Sequence, residues 1–479
     1  MPERKSPTSE KSPSVRRRSP LAIVVLAAGQ GKRMRSRTAK VLHQVAGRSL
    51  IAHVMGAVEP LGADSCVVVT GYDAEGVSQE VGARARSVVQ REQLGTGHAV
   101  MQSHGTLSGF DGDVLVLCGD VPLITTKSLR ALLRRHSRSG ALATVLGMVL
   151  DDPGGYGRIL DEGRGRIRIV EDADAVGADR DVDEVNTGIY VFESGFLFRS
   201  LSRLDRSNVQ GEYYLTDLME AASRQSRAGC SLLEDETEGL GVNSRFDLAQ
   251  AEAVMQERLI LKWMEKGVTF LDPSTVYLSC EARLGRDCVI GPNVRLDGAT
   301  SVGADCVIDG STYLRDTTVG AKVHVKWGVV ADRAKIASRV KLGPYSHLRP
   351  EAELGSEVHV GNFVEIKKSR LGRGTKANHL SYIGDATVGS GVNVGAGTIT
   401  CNYDGFTKSR TTIGDRVQIG SDTQLVAPVS LGNDSYVAAG STVNKDVEAG
   451  ALVFNDKKQQ IRKGWVKDFR RRARNKRGG

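Results

Sequence analysis

The sequence predicts a doubly wound α/β domain followed, across a long helical linker, by an all-β domain built as a parallel β-helix. Three observations carry this reading. Over residues 21–245, unbroken aliphatic runs alternate with helical patterns. Over 246–267, apolar residues recur close to every 3.6 positions. Over 268–460, aliphatic residues recur every six. The 479 residues are too many for one ordinary core, so each part must bury its own interior.

In chain order, "LAIVVLA" is the first strand and "SLIAHVMGAVEPL" a helix, followed by the strands "CVVVTG" and "DVLVLCGD". Continuous Val/Leu/Ile runs separated by helices argue for a parallel sheet covered on both faces, which takes its ligands beyond the carboxyl ends of its strands. Two turns fall at such ends, the glycine-rich "AAGQGKRM" and Gly119-Asp120. The first is an anion-binding candidate, although it fits neither common phosphate motif. Leu26 stands five before Gly31 and Arg33 follows the lysine, which excludes a Walker A loop. Met34 fills the place of the third glycine of a dinucleotide fingerprint. Taken alone, the glycines could equally do no more than close a strand-to-helix turn.

The linker helix carries Leu248, Ala251, Met255, Leu259 and Trp263 on one face. Beyond it the six-residue period runs in three series, Leu284 to Leu314, Val330 to Ile366 and Ile413 to Val443. Neither a helix nor an ordinary strand gives that spacing, whereas a prism with one inward aliphatic per face does. Gly285, Gly291, Gly303 and Gly355 follow inward positions and are expected to help the chain turn its corners. Residues 367–412 depart from the repeat and concentrate His, Lys, Tyr and Asn, marking an insertion that is either a binding face or an inert loop.

Composition excludes several classes. The net charge of +9 resides in the ends: residues 1–20 and 461–479 together hold +12, leaving the body near −3. Binding of nucleic acid by a folded basic face is therefore not expected. Both ends read as disordered basic tails, solvated or in contact with RNA or anionic lipid. No run approaches the roughly 20 apolar residues of a membrane span, and the seven cysteines form no CxxC pair. These features point to the cytoplasm.

The motifs then converge. "LAAGQGKRMRSRTAKVLH", "EQLGTGHA", "GDVPLI", "GYGRI", "VNTGIYVF", "GEYYLTD" and "GVNSR" resemble the Rossmann-like nucleotidyltransferase domain of a known family. "LRPEAELG", "VHVGNFVEIKK", "NVGAGTITCNYDG" and "GSDTQLVAPV" extend the likeness through about residue 460. Together they are similar to the bifunctional UDP-N-acetylglucosamine pyrophosphorylase/glucosamine-1-phosphate N-acetyltransferase family, whose second domain is a left-handed hexapeptide β-helix. The resemblance implies acetyl transfer from acetyl-CoA to glucosamine 1-phosphate, then uridylyl transfer from UTP with release of pyrophosphate.

It also implies site residues. Leu26, Ala27, Ala28 and Gly29 would line the nucleotide pocket, Arg33 and Lys40 would face the triphosphate, and Gln90, Gly95 and Thr96 would hold uracil. Gly157, Glu171 and Asn186 would hold the amino sugar, and Asp120 and Asn243 would hold Mg²⁺, which prefers oxygen ligands. In the second domain His379 corresponds to the proton acceptor. Arg349 and Lys367 would grip the sugar phosphate, Tyr382 and Asn393 the sugar, and Ala396, Asn402, Tyr403, Ser421 and Ala439 acetyl-CoA. Such sites lie between neighbouring β-helices, so a homotrimer is implied.

Two departures stand out. Gln30 and Lys32 replace the lysine and threonine of the common "GKGTRM" form, and Asp456 stands where the family often places a CoA-contacting arginine, which Lys457 or Lys458 would replace. The alternatives are a nucleotidyltransferase whose β-helix only regulates or assembles it, and a scaffold with decayed sites.

Overall fold

The computed structural model describes residues 19–456 and 458–475. The chain divides into two compact units between Arg258 and Leu259, inside the helix Arg245–Met264. The segment 1–18, most of the expected N-terminal tail, lies outside the described residues.

The first unit is built on a mixed sheet. Its strands lie in the order Ala228–Leu232, Ala143–Val149, Glu184–Glu193, Asp113–Cys118, Leu21–Ala27, Ser65–Thr70 and Arg86–Val89. Leu21–Ala27 pairs in parallel with both of its neighbours, as its aliphatic run predicts. Alternate residues enter opposite cores. Ala22 and Val24 pack with Phe192 and Leu197 on one face, and Ile23 and Val25 with Val54 and Leu129 on the other. The all-parallel expectation fails at one strand. Glu184–Glu193 runs antiparallel to both neighbours, and it also pairs with Arg158–Gly163, half of a hairpin completed by Arg166–Val170. A buried antiparallel strand has the same unbroken aliphatic composition as a parallel one, so composition alone does not distinguish the two.

In the second unit the short strands form three parallel sheets of 11, 10 and 9 strands among the described residues, the arrangement of a hexapeptide β-helix. Inward residues such as Ile290, Leu296, Leu348 and Leu425 are completely buried. Val330 does not belong to the inward series. It is exposed, and Ala331 takes the inward place opposite Leu314. The reason is a five-residue step from Ala331 to Ile336. Similar short steps from Leu314 to Val319, Ile366 to Leu371 and Ile383 to Val388 all enter the nine-stranded sheet.

The glycine expectation also needs correction. Gly291 and Gly303 do not adopt positive φ; a Cβ on either would stand 2.7 Å from backbone nitrogen of the next coil, so these glycines permit close stacking. The left-handed corner residues include Asp287 (φ 61°), Asn293 (φ 55°) and Asp305 (φ 59°), of the types that bear that conformation best, but also Lys322, Glu357 and Leu380.

The segment 367–412 is mostly regular coil, with strands at Arg370–Leu371, Lys376–His379, Tyr382–Gly384, Ala386–Val388, Asn393–Val394 and Ile399–Cys401; only 402–410 projects. The segment read as a disordered tail at 461–479 carries a helix over Trp465–Asn475.

Candidate active sites

The first site opens at the carboxyl ends of Leu21–Ala27 and Asp113–Cys118. Leu26, Ala27, Ala28 and Gly29 line a cavity of about 260 Å³ together with Lys40, Gln90, Gly95, Thr96 and Asp120. Local geometry explains the glycine-rich turn. Gly31 has φ 67°, and a Cβ there would press on Lys40 Cβ at 2.6 Å, so this glycine lets the loop pass close over Lys40. Gly29 faces open space. On the far wall, Gln93 Nε2 donates to Ala28 O at 2.7 Å, and Gln90 Nε2 donates to Gly95 O at 3.2 Å. Thr96 Oγ1 accepts from Leu215 N at 3.1 Å, and Tyr213 N donates to Leu94 O at 2.8 Å, which joins "EQLGTGHA" to "GEYYLTD".

Lys40 is the electrostatic centre. Its ammonium pairs with Asp120 Oδ2 and donates to Asn243 Oδ1 at 3.0 Å. Val242 N donates to Asp120 O at 2.8 Å, which ties the two oxygen-bearing segments together. A carboxylate and a carboxamide oxygen thus converge on one cation, a donor set that fits a hard divalent ion completed by water and phosphate oxygens. Among the described residues no group of three or more His, Cys, Asp or Glu side chains is arranged to hold a metal. Arg33 is exposed and does not line the cavity; its charge reaches the Tyr156 phenol, which accepts from Gly241 N at 3.3 Å.

Gly157, Glu171 and Asn186 form a second cluster. Asn186 N donates to Gly157 O at 2.8 Å, a Cβ on Gly157 would stand 3.4 Å from Glu171 Oε2, and Asn186 Nδ2 donates to the Tyr190 hydroxyl at 2.7 Å. Burial pushes the Glu171 carboxyl above its ordinary value, against the hydrogen bond it accepts from Thr216 Oγ1 at 3.0 Å. Cys118 links the clusters. It lines the cavity, and its thiol points to Gly188 O at 3.6 Å. Burial, reinforced by the Asp120 charge, pushes that thiol up to about 12, so it stays neutral. Gln93, Cys118 and Glu212 also line the cavity; each lies in a quoted stretch, but a role for its side chain depends on neighbours from distant segments.

In the β-helix, Arg349, Lys367 and Tyr382 share one sheet. Lys367 lies in register with Gly384, and the Tyr382 ring lies so close over Gly384 that a Cβ there would strike it. Arg349 Nη1 donates to Glu365 Oε1 at 2.9 Å. Lys408, on the projecting 402–410 loop, sits beside Lys367, whose amine lowers the Lys408 pKa. Lys367 on the sheet that carries Arg349, with Lys408 from the neighbouring loop, makes an anion-favouring surface. Lys408 was not singled out in the sequence, since only the folded loop returns it to Lys367.

His379 ends the strand Lys376–His379 on the adjacent sheet, exposed at a corner, with Nδ1 3.1 Å from Asn362 Oδ1. Donation from Nδ1 leaves Nε2 as the free lone pair. Asn393 is on the same sheet as His379 but opposite Lys376, three residues from the register of His379, whereas Tyr382 belongs to the neighbouring sheet. The corner continues downward through Gly397 N to Leu380 O at 3.1 Å, Asp422 N to Ala396 O at 2.7 Å and Gly440 N to Ser421 O at 2.8 Å. Ala396, Ser421 and Ala439 therefore follow His379 along one edge. Asn402 instead bonds Asp385, and Tyr403 is exposed on the projecting loop. Asp456 and Lys458 are exposed, and Lys457 lies outside the described residues.

A cavity with a cation-centred oxygen pair on an α/β sheet, joined in one chain to a prism with an exposed histidine and a cationic face, defines a two-domain transferase. Residues 23–158 match the MobA-like NTP transferase domain, and residues 410–445 match the bacterial transferase hexapeptide family. The chain is 48% identical to a bifunctional protein GlmU of Heliobacterium modesticaldum, over 92% of this chain and 97% of the relative. It is 46% identical to that of Trichlorobacter lovleyi, over 93% and 97%, and 43% identical to that of Geobacillus thermodenitrificans, over 93% and 98%. The chain belongs to the GlmU family of bifunctional enzymes, with a uridylyltransferase domain followed by a hexapeptide acetyltransferase domain.

Proposed function

We propose that the chain makes UDP-N-acetylglucosamine by acetylating glucosamine 1-phosphate at the prism and then transferring uridylate from UTP at the α/β cavity. In the first unit, the attacking sugar phosphate and UTP repel each other, and pyrophosphate must be stabilised as it departs. Lys40 is the cation positioned for this, with Arg33 as an exposed second charge outside the cavity. Asp120 and Asn243 are the residues that would hold Mg²⁺, which supplies further charge neutralisation when bound. Gln90, Gly95 and Thr96 form the wall assigned to uracil; Gly157, Glu171 and Asn186 form the cluster assigned to the acetamido sugar.

At the prism, His379 Nε2 takes the proton from the sugar amine as that amine attacks the thioester carbonyl, and Asn362 fixes the ring that does so. Arg349, Lys367 and Lys408 hold the phosphate. Acetyl-CoA runs along the edge of Ala396, Ser421 and Ala439, with Asn402 and Tyr403 on the neighbouring loop and Lys457 or Lys458 toward its far end. Trp327, Tyr345 and Phe363 are large exposed side chains that form a ridge leading to Leu380, and Tyr345 and Phe363 stack at 5.7 Å. A ridge of this kind beside His379 supports a homotrimer in which a second copy covers it. We place the enzyme in the cytoplasm; no helix among the described residues is long and apolar enough to cross a membrane.

The observation that carries this proposal is the convergence of Asp120 and Asn243 oxygens on Lys40 inside the cavity lined by the "LAAG" turn. Incubation with glucosamine 1-phosphate, acetyl-CoA, UTP and Mg²⁺ should yield UDP-N-acetylglucosamine. Chelation of the metal should stop uridylyl transfer while thioester consumption continues. Loss of both half-reactions on chelation would contradict the assignment of the metal to the first unit.

A further inference from the structure

A second cavity of the first unit, of about 700 Å³, shares no lining residue with the catalytic one. It lies at the other end of the sheet. The helix Thr126–Ser139 leaves the carboxyl end of Asp113–Cys118 and finishes just before Ala143–Val149 begins, so its last turns stand away from Lys40 and Asp120. The floor is Ala228–Leu232, the outermost strand, which pairs only with Ala143–Val149. The facing rim is the tip of the hairpin, where Gly163, Arg164 and Gly165 all have positive φ, at 76°, 52° and 74°. That tip is fixed to the floor, because Ala228 N donates to Gly165 O at 3.1 Å.

Arg134, Arg135 and Arg138 from the helix and Arg164 from the hairpin tip all line this cavity. Among the described residues, none of the four donates a side-chain hydrogen bond or pairs with a carboxylate. Exposed arginines of the prism behave differently: Arg315, Arg339, Arg373 and Arg416 each hold an Asp or Glu within 3.0 Å. Arg134 and Arg138 are also four residues apart, a spacing at which like charges destabilise a helix. Asp161 is the one carboxylate in the lining, and its Oδ1 is taken by Gly163 N at 2.7 Å. Burial pushes the Cys230 thiol of the floor up to about 12, so it adds no negative charge.

We propose that this cavity is a second nucleotide site, which takes a nucleoside di- or triphosphate with its phosphates between the helix and the hairpin tip. Forked guanidinium groups on two facing walls match phosphate oxygens better than a single basic stripe does. The apolar part of the lining, Ala131, Ile167 and Ala228, offers a surface for a base, and the volume is that of a small-molecule site. An acidic peptide added to the free strand edge fits less well, since the hairpin tip already occupies the Ala228 position. The inference is independent of the catalytic assignments, which use none of these residues.

The test is equilibrium dialysis of the full-length enzyme against ATP, with the variants R134Q/R138Q/R164Q and K40A alongside. The three arginines are exposed, so their replacement should leave the thermal midpoint and both half-reactions unchanged. ATP should bind to wild type and to K40A, whose catalytic cavity has lost its cation, and at least tenfold more weakly to the triple variant. Inorganic triphosphate should bind at the same arginines but more weakly than ATP. Absence of ATP binding in K40A, or equal binding in K40A with and without the three arginine substitutions, would overturn the proposal. Triphosphate binding as tight as that of ATP would overturn the nucleoside assignment. Displacement of ATP from K40A by a single-stranded RNA at lower concentrations than by unlabelled ATP would overturn it in favour of nucleic acid.

Discussion

At the scale of single residues, both chemistries come down to how one side chain is held. Lys40 has two oxygen partners, with only 13% of its side chain and 17% of that of Asp120 exposed. Removing the carboxylate outright would strand a nearly buried ammonium, whereas Asp120→Asn keeps an oxygen there and separates metal chemistry from folding. Asp120→Asn should therefore abolish most uridylyl transfer and leave acetyl transfer intact. His379 is exposed, so His379→Ala should leave stability unchanged and do the reverse, with a loss of about 10² to 10⁴ in acetyl transfer, the usual contribution of a positioned base. Assays of both half-reactions on both variants check this. Loss of both activities in either folded variant would mean the sites are not independent.

At the scale of elements, the prism works by stacking, and its tightest contacts set the position of the catalytic strand. Gly361 lies on His359–Asn362, directly above Lys376–His379, and a Cβ at Gly361 would overlap the carbonyl oxygen of Asn378. Gly361→Ala must push the lower strand away, at a cost of about 1–3 kcal/mol from overpacking. It also shifts His379 from its contact with Asn362. Acetyl transfer should fall more than tenfold while uridylyl transfer holds, with a lowered unfolding midpoint. An unchanged acetyl-transfer rate would show that the base tolerates strand movement.

The same stacking explains what was legible in the sequence. The six-residue period is readable because each inward aliphatic is set by local geometry, yet it points Val330 inward, where the structure has Ala331. A five-residue step leaves no mark when Val330 and Ala331 are both apolar. Leu26 to Gly29 and Gln90 to Thr96 stood out as motifs, each lying on one continuous turn. Lys408 lies outside every such motif, and the roles of Asn362 and Gln93 within theirs depend on partners from other coils or loops, His379 and Ala28. That Asn393 shares a sheet with His379 and not with Tyr382 required the fold.

At the scale of the whole molecule, the two units each have their own interior, and the cavity residues and the His379 corner belong to different units. Their chemistry is sequential, and the compound passed between them, N-acetylglucosamine 1-phosphate, is a small anion with high solubility. On the proposed assignment, no residue of the first unit forms it and none of the second consumes it. Two enzymes each disabled in a different unit should therefore complete the pathway when mixed. Asp120→Asn converts glucosamine 1-phosphate and acetyl-CoA into the intermediate and stops. His379→Ala starts from that intermediate. Mixed in one tube with all substrates, they should make UDP-N-acetylglucosamine after a lag that lengthens on dilution, because the intermediate must first build up in bulk solution. The measurement is a product time course at several protein concentrations against wild type. If the mixture stays inactive while each half-reaction works alone, the intermediate does not pass through solvent and the units are coupled in a way their separate interiors do not require.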